Sequence, residues 1–194
     1  MPILGIIASQ NYPRINPAYE SIATVTVGSG GASSVSFTSI PSTYTHLQVR
    51  AIGRLTVAGT STGSFLTKYN NDSTAANYTS HRLLGENTSV IAQAQVGYSP
   101  EIGIAYDAQW PKASATASAF GVMILDILDY ANTSKYKTTR SLNGCDSNNT
   151  SVTDIALASG LYLSTSAISR IDFAPYTNGF AEYTTFALYG IKGA

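Results

Sequence analysis

Residues 46–54, HLQVRAIGR, constrain the fold more than any other stretch of the chain. Leu47, Val49, Ala51 and Gly53 fall on one side of an extended segment. His46, Gln48, Arg50 and Arg54 fall on the other, with Ile52 as the single apolar intruder. Successive side chains of a strand point to opposite faces, so this alternation reads as a strand with a dry side and a wet side. Residues 33–38, SSVSFT, alternate in the same way, with Val35 and Phe37 against Ser34, Ser36 and Thr38. The link between them, SIPSTYT, carries Pro41, which cannot donate a ladder hydrogen bond and suits a connection. The expectation is a pair of strands with the rest of the chain laid beside it.

The remaining segments extend this pattern. Residues 21–27, 64–70, 81–84 and 89–94 read as strands, separated by the glycine turn at 28–32 and the Asn-rich loop at 71–78. Residues 101–106 alternate poorly, and ASATASA at 113–119 is compatible with loop or strand. FGVMILDILDY at 120–130 is the most apolar run, and its short length and strand neighbours favour a buried strand over a helix. Residues 135–142, 151–157, 167–173 and 182–190 complete eight to ten short strands, with no convincing helix and no fixed repeat. The fold class expected is all-β, a jelly-roll-like antiparallel β-sandwich. Residues 1–20 differ: Pro2, Pro13 and Pro17 break any regular element, yet Ile3, Leu4, Ile6 and Ile7 form an apolar cluster that a disordered tail would lack. They are expected to form an extended N-terminal arm lying on a neighbour, with residues 21–194 as the sandwich. Ile3, Leu4, Ile6, Ile7, Tyr12 and Tyr19 are its candidate interface residues.

At 194 residues the chain is long enough for one well-buried core. Only 11% of residues are charged, against about 25% in an average soluble domain, and eleven basic residues cancel eleven acidic ones. No net field draws the chain to nucleic acid or an anionic membrane. So few charges imply either a Ser, Thr, Asn and Gln coat or surface hidden in an assembly. Thirteen tyrosines favour the second, because tyrosine combines contact area with a polar tip. No apolar run approaches the roughly 20 residues of a membrane helix. PILGII is too short for a signal-peptide core and has no basic residue ahead of it. Several Asn-x-Ser/Thr sequons, such as those at Asn77 and Asn87, follow from composition.

The residues that could carry chemistry are few. His46 and His81 lie outside any nucleophile-elbow sequence, since no G-x-S-x-G occurs. Asp126 and Asp129 are three apart and point to opposite faces of a strand, so they cannot work as a glycosidase pair. Asp126, an acid in an apolar run, reads as a carboxylate held by backbone or by an arginine. Asp107 beside Trp110 could line a sugar-stacking surface or be structural. Asn70, Asn71 and Asp72 offer oxygen ligands without the offsets or closing Glu of a calcium loop. Residues 28–31 precede a strand, not a helix, and cradle no anion. Lys135, Lys137 and Arg140 form the one basic cluster and read as a solvated strand face. Cys145, the single cysteine, permits no intrachain disulfide and no Cys-based metal site. The expectation is no catalytic residue, no metal and no cofactor.

Six segments occurring in order carry a resemblance. They are GIIASQ (5–10), FTSIPSTYTHLQVR (37–50), NNDSTAANYTSHRLLG (70–85), ILDYANTSKYKTTRSLNG (127–144), SGLYLSTSAISRIDF (159–173) and FALYGIKG (186–193). Together they resemble a family of small virion proteins of tailed bacteriophages; residues 12–23 and 97–119 match least. The resemblance implies a structural protein of the phage particle and not an enzyme. It would be a capsid decoration or cement protein on the outer surface of the head, made in the bacterial cytoplasm. Its expected partners are the major capsid protein and copies of itself, commonly as a homotrimer, with no nucleic acid and no membrane. The alternative is a tail-associated or fibre-tip module meeting the host surface.

Overall fold

In the computed structural model, residues 18–96, 104–146 and 153–193 are described, except for the side chains of 95, 96 and 104–108. The described residues form twelve strands and one 3-10 turn at Ala75–Asn77. The strands are β1 (Tyr19–Thr26), β2 (Val35–Phe37), β3 (His46–Gly53), β4 (Thr62–Tyr69), β5 (Tyr78–Glu86) and β6 (Ser89–Val96). They continue as β7 (Ile104–Pro111), β8 (Gly121–Ile127), β9 (Lys137–Asp146), β10 (Thr153–Tyr162), β11 (Ile171–Pro175) and β12 (Thr185–Ile191). They make two antiparallel sheets packed as a sandwich. The large one runs β1-β12-β3-β8-β9-β10-β5-β6 and the small one β2-β11-β4-β7. The all-β sandwich expected from the alternation is the fold observed.

The strand that organises the sequence is also central in space. β3 lies between β12 and β8, and its dry side, Leu47, Val49 and Ala51, is buried in the core. The two opening strands do not pair with each other, however. β2 pairs with β11 in the small sheet and β3 with β12 and β8 in the large one. The link between them crosses from layer to layer: Ser39 takes a positive φ, Ile40 N–H donates to Ser169 O, and the Tyr130 hydroxyl donates to Pro41 O. Val35 and Phe37 therefore meet Leu47 and Val49 across the core instead of beside them.

The densest packing surrounds Trp110 on β7, which is fully buried. Its ring centroid lies 4.6 Å from that of Phe65, 5.5 Å from Phe186 and 5.9 Å from Phe180. Two glycines on the large sheet make room for it. A Cβ on Gly53 would sit 2.1 Å from the indole Cζ3, and one on Gly121 2.3 Å from Cδ1. β7 falls in the stretch where alternation is weakest. Residues 113–119 form no strand, because Arg54 gathers them into a loop. Its guanidinium donates to the carbonyls of Ala113, Ala115, Thr116 and Ala119 at 2.7–3.0 Å.

The expected arm boundary shifts by two residues. Tyr19 and Glu20 belong to β1, opposite Ile191 and Gly190, and Lys192 Nζ lies 2.8 Å from the Glu20 carboxylate. The ladder to β12 captures them. Ile3, Leu4, Ile6, Ile7 and Tyr12 lie outside the described residues. Tyrosine also serves the core more than expected: Tyr69, Tyr78, Tyr130 and Tyr162 are buried.

Gly53→Ala should destabilise the fold by about 1–3 kcal/mol through overpacking against the indole. In a Trp110→Leu background the same change should cost less than half as much, measured by thermal or urea unfolding. Strict additivity of the two changes would contradict the packing described.

Candidate functional site

The inner face of β9 holds Lys137, Thr139, Ser141 and Asn143, all buried, and that of β10 holds Asp154, Ala156 and Ala158. Because strand side chains alternate, the aliphatic residues of these strands must point away from the small sheet. Leu142, Ile155 and Leu157 do so, as does Leu83 on β5. This half of the large sheet is polar within and apolar without. On β8 both faces are largely apolar: Met123 and Leu125 point in with Leu47 and Val49 of β3, while Val122 and Ile124 point out beside Ile52, the one apolar residue of β3's outer face.

Register lines these outward residues up. One row crosses the sheet as Ala187, Arg50, Ile124, Leu142, Leu157, Leu83 and Ala92, each directly opposite the next. The adjacent row runs Thr185, Ile52, Val122, Gly144, Ile155, Gly85 and Val90 in the same strands. Ile155 is 62% exposed, Leu142 50% and Val90 83%. The eight large aliphatics of the two rows expose roughly 800 Å² together, above the largest apolar patch of an ordinary monomer. Two shallow concavities flank Leu142. One of about 520 Å³ includes Leu83, Ala92, Ala94 and Leu157 in its wall; one of about 300 Å³ includes Ile52, Val122, Ile124 and Ala187.

A polar row borders the apolar ones. Arg50 Nε donates to Gln48 Oε1 (2.9 Å), Gln48 Nε2 to Asp126 Oδ1 (2.8 Å), and Arg140 to Asp126 Oδ2 (3.0 Å). The Arg50 guanidinium also stands 5.6 Å over the Tyr189 ring. Asp126 is thus the arginine-held carboxylate the sequence suggests, placed on the outer face. The candidate interface residue Tyr19 is half-exposed on edge strand β1, away from these rows.

The other candidates are structural where they are described. Trp110 is buried, which removes it from any sugar-stacking surface; the Asp107 side chain is outside the described residues. His46 Nδ1 accepts from Asp129 N–H (2.9 Å), and His81 lies exposed on β5. Asn70 braces residues 167–170 through Ala167 O, Ser169 N–H and Arg170 N–H, so β11 starts only at Ile171. Asp72 accepts from Thr74 N–H, Asn77 and the Tyr162 hydroxyl. Among the described residues, no three His, Cys, Asp or Glu side chains cluster as a metal site would. Cys145 is buried in β9, and burial pushes its thiol up to about 11, so it stays protonated and unreactive at neutral pH.

Lys137 is the clearest departure within the basic cluster. It is fully buried, and burial lowers the pKa of its ammonium below the ordinary lysine value. Nζ donates to Asn132 O (2.6 Å), Lys135 O (2.7 Å), Thr165 O (3.2 Å) and Ser164 O (3.5 Å), tying two loops together. Lys135 and Arg140 remain exposed.

Comparison with protein-family models, with curated proteins and with solved structures finds no match for the chain.

Two expectations follow. Lys137→Met should cost at least about 2 kcal/mol, because it strands buried carbonyls; unchanged denaturant unfolding would contradict that role. Acid should also destabilise the fold. Burial pushes the Asp172 carboxyl up, but hydrogen bonds from Arg170 and Ser36 together hold it below the usual value; bonds from Asn77, Thr74 and Tyr162 do the same for Asp72. Carboxyls lowered in the folded state stabilise it above their unfolded pKa of about 4, and this is lost as pH falls through the folded value. Tm should therefore hold between about pH 7 and 5 and drop below about 4, with a shallower drop in Asp172→Asn.

Proposed function

We propose that this chain is a non-enzymatic structural protein of a phage particle, a capsid decoration or cement protein that binds and stabilises the head shell. The observation that carries this reading is the pair of apolar rows across the outer face of the large sheet. A face of that size, bordered by few charges, suits a protein whose work is contact. The six-segment resemblance to phage virion proteins supplies the kind of particle, and a jelly-roll-like sandwich is a common scaffold for such proteins. The major capsid protein and further copies of this chain are the partners proposed. The arm of residues 1–20 is proposed as the grip on the shell.

The test is cosedimentation of the purified chain with expanded capsids that lack it, beside binding to host cells. Saturable capsid binding, lost when residues 1–17 are removed from a chain that still folds, is the expected result. Host-cell binding without capsid binding would replace the head placement with the tail-module reading. Capsid binding that survives the deletion would remove the arm from the mechanism.

A further inference from the structure

The outer face of the large sheet has a relief as well as a composition. Ile155 stands in its row between two glycines, Gly144 on β9 and Gly85 on β5, each directly opposite it across a strand pair. A Cβ on Gly85 would already come within 3.2 Å of Ile155 Cγ2, and one on Gly144 within 3.2 Å of Asp154 O. Ile155 thus leans over Gly85, whereas beside Gly144 only strand backbone is near; a hollow opens on the Gly144 side of one isoleucine knob, and Leu142 and Leu157 rise in the row beside it.

We propose that this face is the seat of a second copy of the same chain, the two laid face to face about a two-fold axis. The Ile155 knob of each copy would seat in the Gly144 hollow of the other. This deepens the reading of the face as a contact surface and rests on it.

Three observations select a second copy as the occupant. First, a knob beside a hollow meets its own image after a half-turn, the self-complementarity an isologous dimer requires. Second, the roughly 800 Å² exposed by the eight aliphatics is what each partner of a standard-size stable interface buries. Third, the face carries few charges, too few to repel a copy or to select a strongly charged partner. Arg50 is turned to Gln48 and the Tyr189 ring, and Asp126 is paired with Arg140. A three-fold arrangement would leave this face without its image, so the geometry points to a dimer rather than the homotrimer the family resemblance implies.

The experiment is sedimentation equilibrium on the full-length chain over a hundredfold concentration range, up to about 100 µM. Wild type should approach twice the chain mass. Leu142→Asp and Ile155→Asp should be monomeric throughout, with far-ultraviolet circular dichroism unchanged because both positions face outward. Thr138→Asp, exposed on the same face outside the two rows, should still dimerise. Gly144→Val fills the hollow with a good strand former and should weaken the dimer at least about tenfold. It serves as the second variant if an aspartate variant does not fold.

A wild-type monomer at every concentration overturns the proposal, as does a trimer or a dimer indifferent to these substitutions. A monomer that dimerises only after removal of residues 1–17 would make the arm the occupant and also overturn it. Capsid binding by a strictly monomeric chain would defeat the dimer while leaving the particle reading intact. Dimerisation without capsid binding would do the reverse.

Discussion

Lys137 and Tyr162 face each other in register at one end of the β9 and β10 pair, and both point inward. Lys137 is fixed there by the loop carbonyls around its ammonium. Tyr162 is fixed by the Tyr78 ring stacked at 5.1 Å, by the tilted Tyr69 ring at 5.5 Å, and by its hydroxyl on Asp72. The side-chain period of a strand is two, so these anchors set the facing of every residue along both strands. Thr139, Ser141, Asn143 and Asp154 must follow them in, and Leu142, Ile155 and Leu157 must go out. A one-residue slip would hide the leucines but would expel the lysine from its carbonyls and the tyrosine from its stack.

The polar inner layer is hydrogen-bonded only in part: Thr139 Oγ1, Ser141 Oγ and Asp154 Oδ1 are buried without a partner. Asn143 accepts from Gln109 N–H at 3.2 Å, and Thr62 donates to Asp154 at 2.5 Å. With its amide nitrogen toward the carboxylate, the Gln109 side chain donates to Asp154 and Thr62 and accepts from Arg82. Burying such groups is costly unless they are paired, and β7 and β4 bring partners to Asn143 and to Asp154 Oδ2. The other half of the sandwich is ordinary in chemistry. Trp110, Phe65, Phe173, Phe180 and Phe186 fill it, and the small sheet closes over them. The molecule thus carries its apolar area in two places: a sealed aromatic core under β12, β3 and β8, and an open aliphatic field across the opposite surface. The eight-to-four division of strands lets both exist, since one outer face of the wide sheet has no layer of its own chain over it among the described residues.

Much of the fold was legible because alternation is local. In 46–54 the dry side is assigned correctly and Arg50 lies on the wet one, although Gln48 is buried there by its bonds to Asp126 and Arg50; even the intruder Ile52 proves to be part of the outer field. The run at 120–130 is apolar on both faces and supplies strand β8 (Gly121–Ile127), as its length suggests, with residues 128–130 in the turn that follows. Alternation does not say which face meets a partner sheet, and this is why the field was missed. In DIALA of β10, nothing local distinguishes Ile and Leu inward from Ile and Leu outward; the small and hydroxyl residues of β9, read together with β10, are the signal available. Trp110 was open to misreading because the glycines that receive it, Gly53 and Gly121, are distant in sequence. Lys137 was read as solvated because its partners are loop carbonyls, which no side-chain pattern reports.

The central claim is that the outward aliphatic rows exist to be covered. Carbene footprinting of the full-length chain at low and high concentration tests it at the residues themselves. Labelling of Leu83, Leu142, Ile155 and Leu157 should fall as concentration rises, while Tyr183, exposed elsewhere, stays constant. Equal labelling of those four positions at both concentrations would contradict the account.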